Sequence, residues 1–298
     1  MKGNMVVTVG TGKLGSMVGY RITNSNDKEK QGLRAYVAHP SNPQSFLQAQ
    51  QRMKIANIAR NYGILKPVLR RAFEDKKYGG MSYLEFLRLN LNEVPEGPYV
   101  PKNYVTYVPA AYKMSKGTLQ TLGYAFKQTS QSFVPNLNSL ASVTAGSMTL
   151  AALSAAIIAA NPTIQDGDQL TWIVGFEYEG GAFQYRYASI TLDTSDTTTT
   201  FVIDSHDMLS VGNNIKVSPT ENFAISDDSG LEDETVVAAC GILSRDGDGV
   251  HLRSTEVMAI NPAASGIAPL MTAQAKIAAI QSFMAAGANT DWPTEAIV

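Results

Sequence analysis

Residues 169–192 read QLTWIVGFEYEGGAFQYRYASITL. Two runs rich in β-branched and aromatic residues flank Gly180-Gly181, and a glycine pair between such runs marks a β-hairpin turn. A hairpin makes its strands antiparallel neighbours, which speaks against a fold built of strand–helix–strand crossovers. Residues 234–260, ETVVAACGILSRDGDGVHLRSTEVMAI, repeat the pattern with an Asp-Gly repeat between the strands. After them, residues 268–287 place Leu270, Ile277, Ile280 and Met284 on one face of a terminal helix. The spacing therefore predicts an acidic, β-rich domain over 166–298, antiparallel and sandwich-like, closed by a helix.

At the other end of the chain, residues 6–21 read VVTVGTGKLGSMVGYR. Gly10, Gly12 and Gly15 have the spacing of a dinucleotide-binding loop. That chemistry also needs a helix after the third glycine and an acid at the end of the next strand. Here Gly19 and an Asn/Ser cluster follow, and the expected second strand, 32–39, ends Val-Ala-His with no acid. Lys13 does not qualify as a phosphate-loop lysine, because Gly15 and Ser16 follow it where that motif closes on Gly-Lys-Ser/Thr. The glycines read better as turns and close backbone contacts of a β-arm, with no cofactor expected.

Between the two ends, Ser41 or Asn42 can cap a helix that Pro43 opens and Gly63 closes. Leu47, Ile55, Ile58 and Tyr62 form one apolar face, and Phe46, Ala49, Met53 and Ala56 another. Gln50, Lys54, Asn57 and Asn61 form a stripe between them that is expected to be wet. Pro67 can start a second helix and residues 82–91 supply a third, so a three-helix block is expected within a first region, 1–95. Residues 96–165 form a second region. Its Tyr/Pro-rich part suits extended arms, and its uncharged helix, 150–160, is too short for a membrane span of about 20 residues. The fold class expected is α+β.

The 298 residues carry a net charge of −2 that hides a division. Residues 1–130 hold 19 Lys+Arg against 7 Asp+Glu, and residues 131–298 hold 5 against 19. Such asymmetry fits a basic half facing nucleic acid, two ends that attract copies of each other, or halves that pair within one fold. Arg52, Lys54, Arg60, Arg70, Arg71, Lys76 and Lys77 are the cations of the helical block, available to phosphates in a non-specific DNA contact or to an acidic protein surface. A single cysteine, Cys240, excludes an internal disulfide, and the first ten residues lack a signal-peptide core, so synthesis in a cytoplasm is expected.

The remaining polar clusters read as turns. Asp204, Ser205, His206 and Asp207 are consecutive, whereas a catalytic triad gathers residues distant in sequence. Asp246, Asp248 and His251 make only a fragment of a calcium loop, without its distant bidentate Glu. The acidic run 226–234 reads as a solvated loop, and His39, His206 and His251 have no zinc-ligand spacing.

Four stretches resemble an uncharacterised group of proteins encoded in Bacteroidota genomes and their phages. They are GTGKLGSMVGYR (10–21), HPSNPQSFLQAQQRMK (39–54), GDQLTWIVGF (167–176) and ACGILSRDGDGVHLRST (239–255). Gly12, Lys13, Gly15, Gly19, Asn42, Pro43, Gln48 and Arg52 stand at the positions that recur there. The resemblance implies a non-enzymatic virion component, a capsid, connector or tail protein. Its partners would be copies of itself and other virion proteins, with Gly12, Lys13, Gly15, Gly19, Arg52, Lys54, Arg60, Arg70 and Arg71 expected at its contacts. The alternative expectation is a nucleic-acid-binding protein that uses the basic helices.

Overall fold

In the computed structural model the hairpin predicted at 169–192 forms two strands of a five-stranded sheet. Strand β8 (Gln169–Tyr178) pairs with β9 (Ala182–Thr191) along its whole length, from Gln169 opposite Thr191 to Tyr178 opposite Ala182. Gly181 takes a φ of +76°, the left-handed backbone that the turn requires. On the far side of β8 lies β14 (Glu234–Gly247), which turns through Gly249 into β15 (Val250–Arg253). The sheet order is β15-β14-β8-β9, and β17 (Ala259–Ile260) pairs with β14 at Ala238 and Ala239. A register shift between Val236 and Ala238 marks a bulge in β14.

The described residues are the strand segments 12–14, 17–24 and 27–35, and residues 45–286 apart from 75–78, 92–97, 105–106, 142, 144, 179–180, 227–233 and 248. They divide into two compact units, Met1–Gln44 and Ser45–Val298. The boundaries expected near 95 and 165 fall inside the second unit, because the middle of the chain is part of its core.

Both faces of β8 are covered, and the alternation of its side chains decides what each face meets. Leu170, Trp172, Val174 and Phe176 join a core with α3 (Leu150–Ala160) and a four-stranded sheet of order β12-β11-β10-β7. Those strands are β7 (Gly146–Thr149), β10 (Thr200–Ile203), β11 (Leu209–Gly212) and β12 (Ile215–Val217). Beside them stands β13-β6-β5: β5 (Ala125–Lys127), β6 (Ser132–Val134) and β13 (Ile225–Ser226). The uncharged helix is thus a buried wall: Thr149 accepts a hydrogen bond from the Ala152 N–H at its start, and Leu153 and Ile157 are fully buried.

Ile173, with Tyr185 of β9 and Ala238, Cys240 and Ile242 of β14, faces the other way, onto α1 (Phe46–Leu69) and α2 (Gly79–Leu91). Among the described residues the expected three-helix block therefore contains two helices. Gly63 does not end α1 and Pro67 lies inside it. Proline removes one helical hydrogen bond, but Leu65 and Leu69 on either side of it are buried at 1% and 0% exposure and hold the last turn against the core. The cap is Ser45, whose hydroxyl accepts from the Gln48 N–H; Asn42 and Pro43 lie outside the described residues.

Two further expectations are corrected. The stripe expected to be wet is buried at Asn57 and Asn61, whereas Leu47 and Ile55, assigned to an apolar face, are 69% and 39% exposed. The terminal helix α4 (Ala273–Ala285) packs through Ala279, Ile280 and Phe283 onto Ala49, Met53 and Tyr99, leaving Ile277 exposed.

The Tyr/Pro-rich middle is a clasp on this chain's own sheet. Ala110, Tyr112 and Met114 belong to the helical face, and Leu122, Tyr124 and Phe133 to the Trp172 face. Between them β4 (Lys113–Ser115) pairs with β16 (Glu256–Val257). Buried Glu256 accepts hydrogen bonds from the Leu122 and Gly123 N–H groups and from Thr121 Oγ1, fixing the crossing point.

The first unit is an antiparallel sheet of order β1-β2-β3: β1 (Gly12–Leu14), β2 (Met17–Asn24) and β3 (Asp27–Ala35). Gly12 stands opposite Gly19 and Lys13 opposite Val18. Gly12 and Gly19 thus lie on paired strands, while β3 starts at Asp27, ahead of the strand expected at 32, and Gly10 lies outside the described residues. Gly15 lies outside the described residues. The fold class is α+β.

Candidate functional site

Beyond the last turn of α1 a cleft of about 390 Å³ opens over the helical face of the sheet, with Ser189 and Tyr187 exposed and Thr171 and Ser244 buried. Its floor is a cross-strand tile. Thr171 stands opposite Ser189, Gln169 opposite Ser244, and Tyr187 borders them on β9. Thr171 Oγ1 and Ser189 Oγ lie 2.9 Å apart in a hydrogen bond. Hydroxyls at these positions are in phase with buried Ile173, so the polar floor continues an otherwise apolar stripe.

The wall of the cleft is the end of α1 with Arg70 and Arg71. The backbone here is fixed independently of those two side chains. The Arg70 carbonyl accepts from Ser82 Oγ at 2.8 Å, and the Arg71 carbonyl accepts from Arg253 Nε at 2.5 Å. The two carbonyls that follow the helix end are thereby satisfied, and both arginines are exposed. Among the described residues neither is in an ion pair.

Arg253 itself is spent. It is buried, and its Nη1 donates to Asp246 Oδ1 at 2.6 Å, while Nδ1 of His251 lies 3.0 Å from the same oxygen. Burial alone would raise the Asp246 carboxyl, but the bonds from Arg253 and His251 prevail and hold it below its ordinary range. Glu74 accepts from the Thr118 N–H at 2.7 Å and from the Arg253 N–H at 3.2 Å. Gly117 lies against this carboxylate so closely that a Cβ there would stand 2.4 Å from Glu74 Oε2.

Of the cations expected to act together, only Arg70 and Arg71 share a site. Arg52 and Lys54 stand near the start of α1, Arg52 exposed and Lys54 half-buried. Arg60 is turned into the protein, where Nη2 donates to the Lys102 carbonyl at 3.2 Å and Nη1 is buried. Lys76 and Lys77 lie outside the described residues. Among the described residues, Arg52, Lys54, Arg60, Arg70 and Arg71 do not gather on one phosphate-binding face. Thr171, Ser189 and Tyr187 were not singled out from sequence. Their signal is a run of polar residues in phase with the buried positions of a hairpin.

Between cleft and helix start lies a buried network. Tyr185 Oη donates to Asn61 Oδ1 at 3.2 Å, and Asn61 Nδ2 lies 3.3 Å from Tyr112 Oη. Burial pushes both phenols well above their ordinary range, so they remain neutral hydrogen-bonding groups.

The clusters of chemical interest elsewhere serve as staples. Asp204 Oδ1 accepts from the His206 and Met208 N–H groups and its Oδ2 pairs with Lys216 at 2.9 Å, which makes a turn and not a nucleophile–base pair. Asp248 of the calcium-loop fragment lies outside the described residues, and Asp246 is taken up by Arg253 and His251. Among the described residues no group of three or more His, Cys, Asp and Glu side chains is placed to hold a metal ion, and no helix is long and apolar enough to cross a membrane. No protein family, curated protein or solved structure matches this chain, so the cleft and the N-terminal sheet are read from their own geometry.

Proposed function

We propose that this chain is a non-enzymatic structural subunit of a bacteriophage particle, a capsid, connector or tail component, which assembles with copies of itself through its N-terminal sheet. The observation that carries the reading is the free edge of that sheet. β3 spans nine residues and, among the described residues, pairs on one side only. An open edge is a template for strand addition by another chain.

Charge supports the same reading. Residues 12–35 hold five Lys+Arg against two Asp+Glu, whereas residues 131–298 are strongly acidic. The alternation Asp27-Lys28-Glu29-Lys30 on the edge strand favours a partner of matching charge over indiscriminate pairing. Head-to-tail contacts of this kind close into a ring or continue as a tube, according to the rotation between subunits. The resemblance to phage-encoded proteins supplies the virion context. The nucleic-acid alternative has less support, because Arg60 is partly buried and donates to the Lys102 carbonyl.

Deleting residues 1–40 tests the reading. The expected product is a folded body that stays monomeric by light scattering at concentrations where the full chain assembles. An unchanged oligomer in the truncated protein overturns it.

A further inference from the structure

We infer that the cleft at the end of α1 is a binding site for a small phosphate-bearing saccharide. The inference is independent of the assembly reading, since every residue it uses belongs to the second unit.

Three observations lead there. First, Arg70 and Arg71 are adjacent cations whose backbone is held by Ser82 and Arg253, so their side chains are not needed to finish the helix. Guanidinium groups that have no ion-pair partner among the described residues, at the rim of a cleft, are suited to an oxyanion, which they bind through paired N–H donors. Second, the floor they overhang is neutral and made of hydroxyl and amide groups: Thr171, Ser189, Gln169 and Ser244. Such groups both donate and accept, which is what the hydroxyls of a sugar require. Third, Tyr187 is 37% exposed at the border and offers a ring face or edge to the apolar side of a sugar ring.

Size and charge narrow the ligand further. A volume of about 390 Å³ lies within the range of small-molecule sites. Among the residues that line it, three arginines stand against the single carboxylate of Asp246, and Arg253 neutralises that carboxylate. The surplus of positive charge rests on Arg70 and Arg71, at one side of the neutral floor. A ligand anionic at one end and hydroxylated along the rest matches this polarity.

The test is titration of the full chain, followed by NMR, with D-glucose 6-phosphate, D-glucose, inorganic phosphate and a short DNA duplex at equal phosphate. Saturable shifts confined to the cleft with glucose 6-phosphate, with glucose at least tenfold weaker, are expected. R70A/R71A should raise the Kd for glucose 6-phosphate at least tenfold, and Arg52→Ala should leave it unchanged. T171V/S189A should weaken glucose 6-phosphate without weakening inorganic phosphate, which separates floor from wall. The inference is overturned by an absence of saturation up to about 10 mM, by an unchanged Kd in folded R70A/R71A, by glucose binding as tightly as its phosphate, or by the duplex binding more tightly than the sugar phosphate.

Discussion

The two faces of β8 are built from alternate residues of one strand and do different work. Leu170, Trp172, Val174 and Phe176 meet an apolar core tied by polar contacts such as Trp172 Nε1 donating to Tyr124 Oη at 3.0 Å. Thr171 and Ile173 look onto α1, where a buried Asn and Tyr network gives way to a cleft. A strand buried on both sides can thus hold the fold with one face and leave the other polar where the helix stops short. Stability should be concentrated on the Trp172 face and binding on the Thr171 face.

The strongest challenge to that division is Trp172→Ala. It empties a fully buried site and leaves Tyr124 Oη without its donor, so a loss of about 3–5 kcal/mol in denaturant-unfolding stability is expected. Next comes Gly241→Ala on the same face, where an added Cβ would stand 2.7 Å from the Tyr124 ring and 2.9 Å from Leu122 Cδ1. Its expected cost is about 1–3 kcal/mol by the same measurement. On the other face Asn61→Leu should cost about 1–3 kcal/mol, because Tyr185 Oη loses its acceptor while the volume is kept. Equal losses at Trp172 and Asn61 would erase the contrast.

The smallest effects concern pH, and two carboxylates should give opposite signs. Burial raises Glu256 above its ordinary range despite the bonds from Leu122, Ser254, Gly123 and Thr121. A raised acid favours the folded state while protonated, so its contribution is present below the ordinary glutamate pKa of about 4.3 and lost as pH rises through the folded value. Asp246 is depressed, so its contribution is present above about 3.9 and lost as pH falls through the folded value. The stability difference between the wild type and Glu256→Gln should therefore shift in favour of the variant on raising pH from 4 to 7. The difference between the wild type and Asp246→Asn should shrink on acidification below about pH 4. Unfolding curves across that range read both.

What was legible in the sequence had local causes. The hairpin over 169–192 was legible from its alternation and Gly180-Gly181, and α3 from the uncharged apolar run 150–160. α1 was misread because Gly63 and Pro67 are breakers locally, while burial of Leu65 and Leu69 carries the helix past them. Asn61 looked like part of a wet stripe because its partners, Tyr112 and Tyr185, lie 51 and 124 residues away along the chain. The middle read as arms since proline and tyrosine favour extended chain, but composition does not say which sheet the chain lies on. The cleft was invisible for the same reason: it exists only where α1 ends above the hairpin.

Sedimentation velocity of the purified full chain over a wide concentration range tests the central claim most directly. The account predicts species many times the 32.0 kDa of one chain, of discrete size if the contacts close into a ring. A single 32.0 kDa species at every concentration would contradict it.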